Sequence, residues 1–186
     1  MRIDFGAKEI LFPMPVLIIG TYDEKGKVDA MNAAWGGIGD TKEIFLCLDA
    51  SHKTVKNLLK TKEFTVSPAT LASVIPADYV GIESANKIEN KIEKSGLHVE
   101  KSKNVNAPVF AEFPVTLECR LKSYDEKTSH LFGEIVNITA DETVLTDGKI
   151  DIAKLKPITY NPVSHTYHLV NAEPSAAAFS CGSVLK

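Results

Sequence analysis

Cysteine is scarce in this chain and never paired. Cys47, Cys119 and Cys181 stand far apart with no C-x-x-C spacing, which excludes a disulfide framework, a zinc site and an iron–sulfur cluster held by this chain alone. Cys47 and Cys119 each fall in an apolar run and read as small core residues. Long apolar runs are missing as well: no segment approaches the ~20 residues of a spanning helix. The start, Met1-Arg2-Ile3-Asp4, lacks a leader's apolar core. A cytoplasmic protein with no membrane attachment is expected. Nor is there a basic excess, since 21 Lys and Arg stand against 24 Asp and Glu for a net charge of -3. A nucleic-acid partner, which needs a concentrated basic face, is not expected.

Several catalytic signatures are absent too. Gly36-Gly37-Ile38-Gly39 lacks the third glycine of the dinucleotide fingerprint, because Lys42 stands in its place. There is no G-x-S-x-G elbow. His165 and His168, three apart on a strand, point to opposite faces and make no metal pair. Asp125 with Glu126, and Asp141 with Glu142, sit in turn-like text and read as solvated charge.

What remains is an ordinary globular composition, 44% hydrophobic and 24% charged. One domain spanning 1–186 is expected, with a core at about 10–170, large enough to bury roughly 70% of its unfolded surface. Pro15–Tyr22 and Val28–Trp35 read as strands joined by the turn Asp23-Glu24-Lys25-Gly26-Lys27. Ile44–Ala50 is a third strand and Glu63–Ser67 another. Ser51 is the expected cap of a helix over about 52–62, with Val55, Leu58 and Leu59 on one face. A helix after Thr70 is expected to be interrupted by Pro76. Asp78–Ser95 is polar text that suggests short surface helices closing on Gly96. Val115–Tyr124 and Leu131–Thr139 form a hairpin, Asp147-Gly148 a tight turn, Asp151–Leu155 a short helix, and Ile158–Val170 contains a last strand. The Ala- and Ser-rich tail, 173–186, is expected to be mobile or to lie across a partner subunit. Strands at short spacing without a βαβ rhythm predict a mainly β fold, an antiparallel barrel with helical additions.

Two stretches carry the functional argument. Asp29-Ala30-Met31-Asn32-Ala33-Ala34-Trp35-Gly36-Gly37 reads as a strand opening into a loop. Its small side chains let a flat ligand reach the main chain, Asn32 offers both donor and acceptor, and the single tryptophan supplies a wall. Taken alone it is equally a tight strand end with a buried tryptophan. Ser51-His52-Lys53-Thr54 puts hydroxyls, a cation and free N–H groups at a helix's leading turn, where anions bind. Taken alone, that tetrapeptide favours plain capping by Ser51 with His52 and Lys53 solvated.

In sequence order, PVLIIGTYDEKGKVDAMNAAWGG, then a strand, SHKT and a helix, ADYVGIESANKIENK, SGLHVE, NAPVFAEFPVTLECRL and HLFGEIVNI resemble the flavin reductase-like, FMN-binding split-barrel family. The likeness is closest to its flavoredoxin branch and covers about Ile10 to Val170. It implies a split β-barrel that holds FMN without a covalent bond. Asn32, Ala33, Ala34 and Trp35 would lie along the isoalloxazine ring, and Ser51, His52, Lys53 and Thr54 would hold the phosphate and ribityl chain. Ser67 matches a position that faces the flavin. Asp78, Tyr79, Val80, Gly81, Ser84, Lys87 and Lys91 match a pattern near the ring or phosphate. Homodimers with sites near the subunit interface are implied, with NAD(P)H or a small iron–sulfur or haem protein as electron donor. Two departures stand out: His52 and Lys53 where many members carry arginine, and Ser84-Ala85 where relatives have Ser-Gly. Two other readings remain: a non-catalytic flavin- or haem-binding module, and a reductase or oxidase of a small organic substrate using Tyr79, Tyr167 or His165 as acid or base.

Overall fold

Alternating apolar and polar residues favour extended chain. In the computed structural model, which describes residues 1–185, every strand pairing is antiparallel. The chain runs β1 (Met14–Pro15), β2 (Leu17–Tyr22), β3 (Val28–Ala33), β4 (Gly36–Asp40), β5 (Glu43–Cys47), α1 (Lys53–Thr61), β6 (Glu63–Pro68), α2 (Val74–Ile82) and α3 (Lys91–Ser95). It continues with β7 (Val99–Lys101), β8 (Pro108–Phe110), β9 (Val115–Asp125), β10 (His130–Ala140), β11 (Leu145–Thr146), β12 (Lys149–Ile150), α4 (Ile152–Leu155), β13 (Ile158–Asn161) and β14 (Thr166–Leu169).

Seven strands form one curled sheet in the order β3-β2-β6-β9-β10-β5-β4, and β1, β13 and β14 form a smaller one. The two edge strands, β3 and β4, do not pair with each other, so the barrel stays split. Strand β2 shows how the layers arise. Leu17 and Ile19 enter the barrel core with Leu46, Leu58, Phe64 and Leu131. Ile18, together with Val16 just before the strand, faces the opposite way, into a second core with Ala77, Val80, Ile92 and Phe110. Two apolar faces on one strand mean that helices must cover the outer side, and α2 and α3 do so. Among the described residues no helix is long and apolar enough to cross a membrane.

The structure corrects several expectations. Pro76 does not interrupt α2, because it falls in the first turn, where its missing N–H has no intrahelical partner to lose. Ile158–Val170 holds two strands rather than one, joined through a turn in which His165 has φ 55°. Gly36–Asp40 is strand β4, paired with β5 through Gly36 opposite Leu46, not an open loop. Residues 173–185 are mostly exposed and end in a 3-10 turn at Cys181–Leu185. Lys186, the last residue of the expected tail, lies outside the described residues.

Candidate functional site

Strand β3, the leading turn of α1 and the flank of α2 converge on one trough. Close packing makes this possible, since a Cβ on Gly81 of α2 would lie 2.9 Å from Asn32 Cβ on β3. Any larger residue would wedge the helix off the strand.

One end of the trough is a small polar pocket of about 90 Å³ lined by Asp29, Asn32, His52, Lys53, Thr54, Gly81, Ser84 and Lys91 among others. Its wall is the start of α1. The N-cap is His52 rather than Ser51, and its side chain makes no capping bond. The first-turn N–H groups of a helix have no intrahelical acceptor, so they are left for a ligand. Ser51 stands one residue too early to cap: its N–H donates to Asp49 Oδ1 at 2.8 Å and its carbonyl accepts Asn86 Nδ2 at 3.1 Å. Lys53 Nζ donates to Asn57 Oδ1 at 2.6 Å and lies 3.6 Å from Asp23 Oδ2.

Beneath this pocket sits a buried ion pair. Lys91 and Asp29 are 3% and 2% exposed. Lys91 Nζ donates to the Ala30 carbonyl at 2.5 Å and lies 3.4 Å from Asp29 Oδ1, an electrostatic contact without hydrogen-bond geometry. Burial pulls the Lys91 ammonium below its usual range, and the Asp29 charge opposes that pull. Thr54, also buried, gives its hydroxyl proton to Asp29 Oδ2 at 2.6 Å. These groups anchor the pocket floor to β3. Asp29 is thus a site residue that sequence reasoning passed over, although a lone acid inside a strand was the available signal.

The other end is a cleft of about 330 Å³ lined by Val16, Asn32, Ala34, Asp78, Gly81, Ile82, Tyr160, His165 and Tyr167. Asn32 and Gly81 belong to both ends, which makes the two one continuous trough. Tyr167 O–H donates to Asp78 Oδ1 at 2.8 Å, and Asn32 Nδ2 donates to Tyr167 Oη at 3.4 Å and to the Ala77 carbonyl at 3.1 Å. Burial first, and the neighbouring Asp78 second, push the Tyr167 phenol well above its usual range. Tyr160 stacks tilted against it with centroids 6.0 Å apart, and its hydroxyl meets His165 Nδ1 at 2.8 Å.

Other expected site residues lie elsewhere. Ser67 shares the sheet face of Ile18 and Asn32, but it is fully buried there with its Oγ shared with Thr116 at 2.8 Å and lines neither end of the trough. Ala33 faces the barrel core, so only its backbone is available. Trp35 is half exposed and lines a neighbouring apolar groove instead. Tyr79 packs against the second core on α2's outer flank. Lys87 is exposed and lines none of these cavities. His168 pairs with Thr166, and no cluster of metal ligands exists among the described residues.

A curled antiparallel half-barrel with a polar-ended trough at its open edge defines a flavin reductase-like split barrel. The chain belongs to the family described as flavin reductase like domain, which matches residues 10–162. Its structure is similar to the flavoredoxin of Desulfovibrio vulgaris (Miyazaki F), with TM-score 0.92 and 35% identity over 98% of this chain and 100% of that one. Flavoredoxin from Methanosarcina acetivorans is similar at TM-score 0.90 and 25% identity, with 100% of both chains covered. An FMN-binding domain of flavin reductase-like enzymes from Shewanella baltica shares the fold at TM-score 0.80 and 19% identity, over 88% of this chain and 89% of that one.

Proposed function

We propose that this protein binds FMN without a covalent bond and carries electrons through it, as a flavoredoxin or a flavin reductase does. The carrying observation is the shared lining of the trough. A pocket with a cation and free helix N–H groups runs directly, through Asn32 and Gly81, into a wider aromatic-walled cleft. That polarity matches a planar coenzyme with an anionic tail.

In this reading the α1 leading turn and Lys53 take the phosphate, each charge-assisted bond contributing roughly 1.5–3 kcal/mol. Lysine is a point charge without arginine's two-pronged fork, so orientation falls to the helix N–H groups. Asn32 and the backbone of Ala33 and Ala34 meet the ring edge. The bound flavin supplies the one- and two-electron chemistry, while the protein fixes its position and controls access. The family and the flavoredoxin likeness support a flavin-linked redox role. The electron source, NAD(P)H or a small redox protein, and a cytoplasmic homodimer complete the proposal.

The purified protein is expected to show flavin absorbance bands and to quench added FMN fluorescence. A colourless protein that leaves FMN fluorescence unchanged removes the reading. Lys53→Glu is expected to weaken FMN binding at least tenfold at low salt, and unchanged affinity displaces the phosphate from α1. Rapid mixing with NADH and NADPH then separates an enzyme from a carrier, because a carrier's flavin stays oxidised with either nucleotide.

A further inference from the structure

Three groups in the trough form a chain whose hydrogen-bond polarity is fixed by chemistry. An ionised carboxylate only accepts, so the contact between Tyr167 Oη and Asp78 Oδ1, at 2.8 Å, uses the phenol's one proton. Tyr167 oxygen then has only lone pairs left for Asn32. The Ala77 carbonyl, 3.1 Å from the same amide, also only accepts. Both neighbours therefore demand the amide nitrogen, and two independent contacts fix the carboxamide in one orientation. Its oxygen, Oδ1, accepts nothing from the described residues and is not buried, and Asn32 lines both ends of the trough.

We propose that Tyr167 and Asp78 are positioning residues that lock the Asn32 carboxamide so that it offers the trough an acceptor and no donor. This rests on the FMN reading and sharpens it: Asn32 recognises an N–H on the ring edge, not a carbonyl oxygen. Flavin carries one such group, N3–H, in both oxidation states and gains N5–H on reduction. The same polarity withdraws Tyr167 as a proton donor to substrate, since its proton is committed to Asp78.

The lock is tested first without ligand. The Asn32 side-chain amide protons, observed by NMR, are expected to exchange roughly threefold to tenfold faster in Tyr167→Phe than in the wild type, the range for one neutral hydrogen bond. Equal exchange overturns the lock whatever the protein binds. The acceptor role is tested with FMN and 3-methyl-FMN, and with oxidised against reduced FMN. The wild type is expected to discriminate at least tenfold in one of the two comparisons, the first assigning N3–H and the second N5–H. Tyr167→Phe is expected to narrow that ratio at least threefold while still binding. Asp78→Ala, which frees the phenol proton to turn toward Asn32, is expected to narrow it as well. A wild type that binds FMN without discrimination, or variants that keep the full ratio, overturn the acceptor role alone. A wild type that binds no FMN removes the functional reading and the acceptor role together, while the exchange measurement still decides the lock.

Discussion

Gly81 sets the distance between α2 and β3, and with it the width of the trough. A methyl group added there would meet Asn32 Cβ at 2.9 Å, and the backbone must move to relieve it. Gly81→Ala is expected to cost about 1–3 kcal/mol in urea unfolding and to weaken FMN binding. Gly37→Ala, with nothing within 4 Å of the added carbon, is expected to stay within about 0.5 kcal/mol of the wild type. Asn32 was legible in the sequence because an amide among alanines and glycines has little else to do. The uses of Ser67, Thr54 and Lys91 were not, because a strand residue's face and a lysine's partner depend on what packs opposite. Tyr167 was the hardest to read, since its contact with Asn32 spans 135 positions.

At the scale of elements, Glu118 of β9 shows how one buried side chain pins a loop to the sheet. It is almost fully buried and accepts Ser102 Oγ, Asn104 Nδ2 at 2.6 Å and Asn137 Nδ2 at 2.6 Å, which holds the β7–β8 connection against β9 and β10. Burial alone would raise its pKa, but hydrogen bonds from Ser102, Asn137 and Asn104 outweigh it and hold the carboxyl below its usual range. A depressed folded-state pKa adds stability that is present above the unfolded value of about 4.3 and lost as pH falls through the folded value. Glu118→Ala leaves the buried Ser102 hydroxyl without its acceptor and removes the bonds from Asn104 and Asn137 as well, so about 2–4 kcal/mol is expected to disappear at pH 7. Urea titrations at pH 7 and in the acid limb should show the gap to the wild type shrinking as pH falls, and a constant gap contradicts the linkage. The β9–β10 hairpin could be read in advance because its alternation is local and long. Strand β4 could not, because glycines signal a loop until β5 supplies a partner. Pro76 misled for a related reason: proline breaks a helix only beyond its first turn, and the capping box of Thr70 and Ser73 opens a 3-10 turn, Leu71–Ser73, that leads into α2 and leaves Pro76 at its third position.

On the scale of the whole molecule, one face carries a contiguous apolar groove. Leu11, Trp35 and Ile38 are more than half exposed and, with Pro13, Met14, Gly36 and Phe45, line a groove of about 430 Å³ along β4, an unpaired sheet edge. Edge strands and contiguous apolar surface of this kind ordinarily meet a partner, and a second copy of the chain is the occupant the homodimer reading requires. Sedimentation velocity is expected to give a dimer at micromolar concentration, and Ile38→Lys, which buries a charge in that contact, is expected to give a monomer. Ala34 lines both this groove and the wider end of the trough, so the proposed dimer contact and the proposed coenzyme site have a wall in common. The monomeric variant should therefore bind FMN several-fold more weakly, and added FMN should shift the wild type toward dimer by mass action. A wild type that sediments as a monomer with full FMN affinity breaks that link and assigns the groove to a different partner.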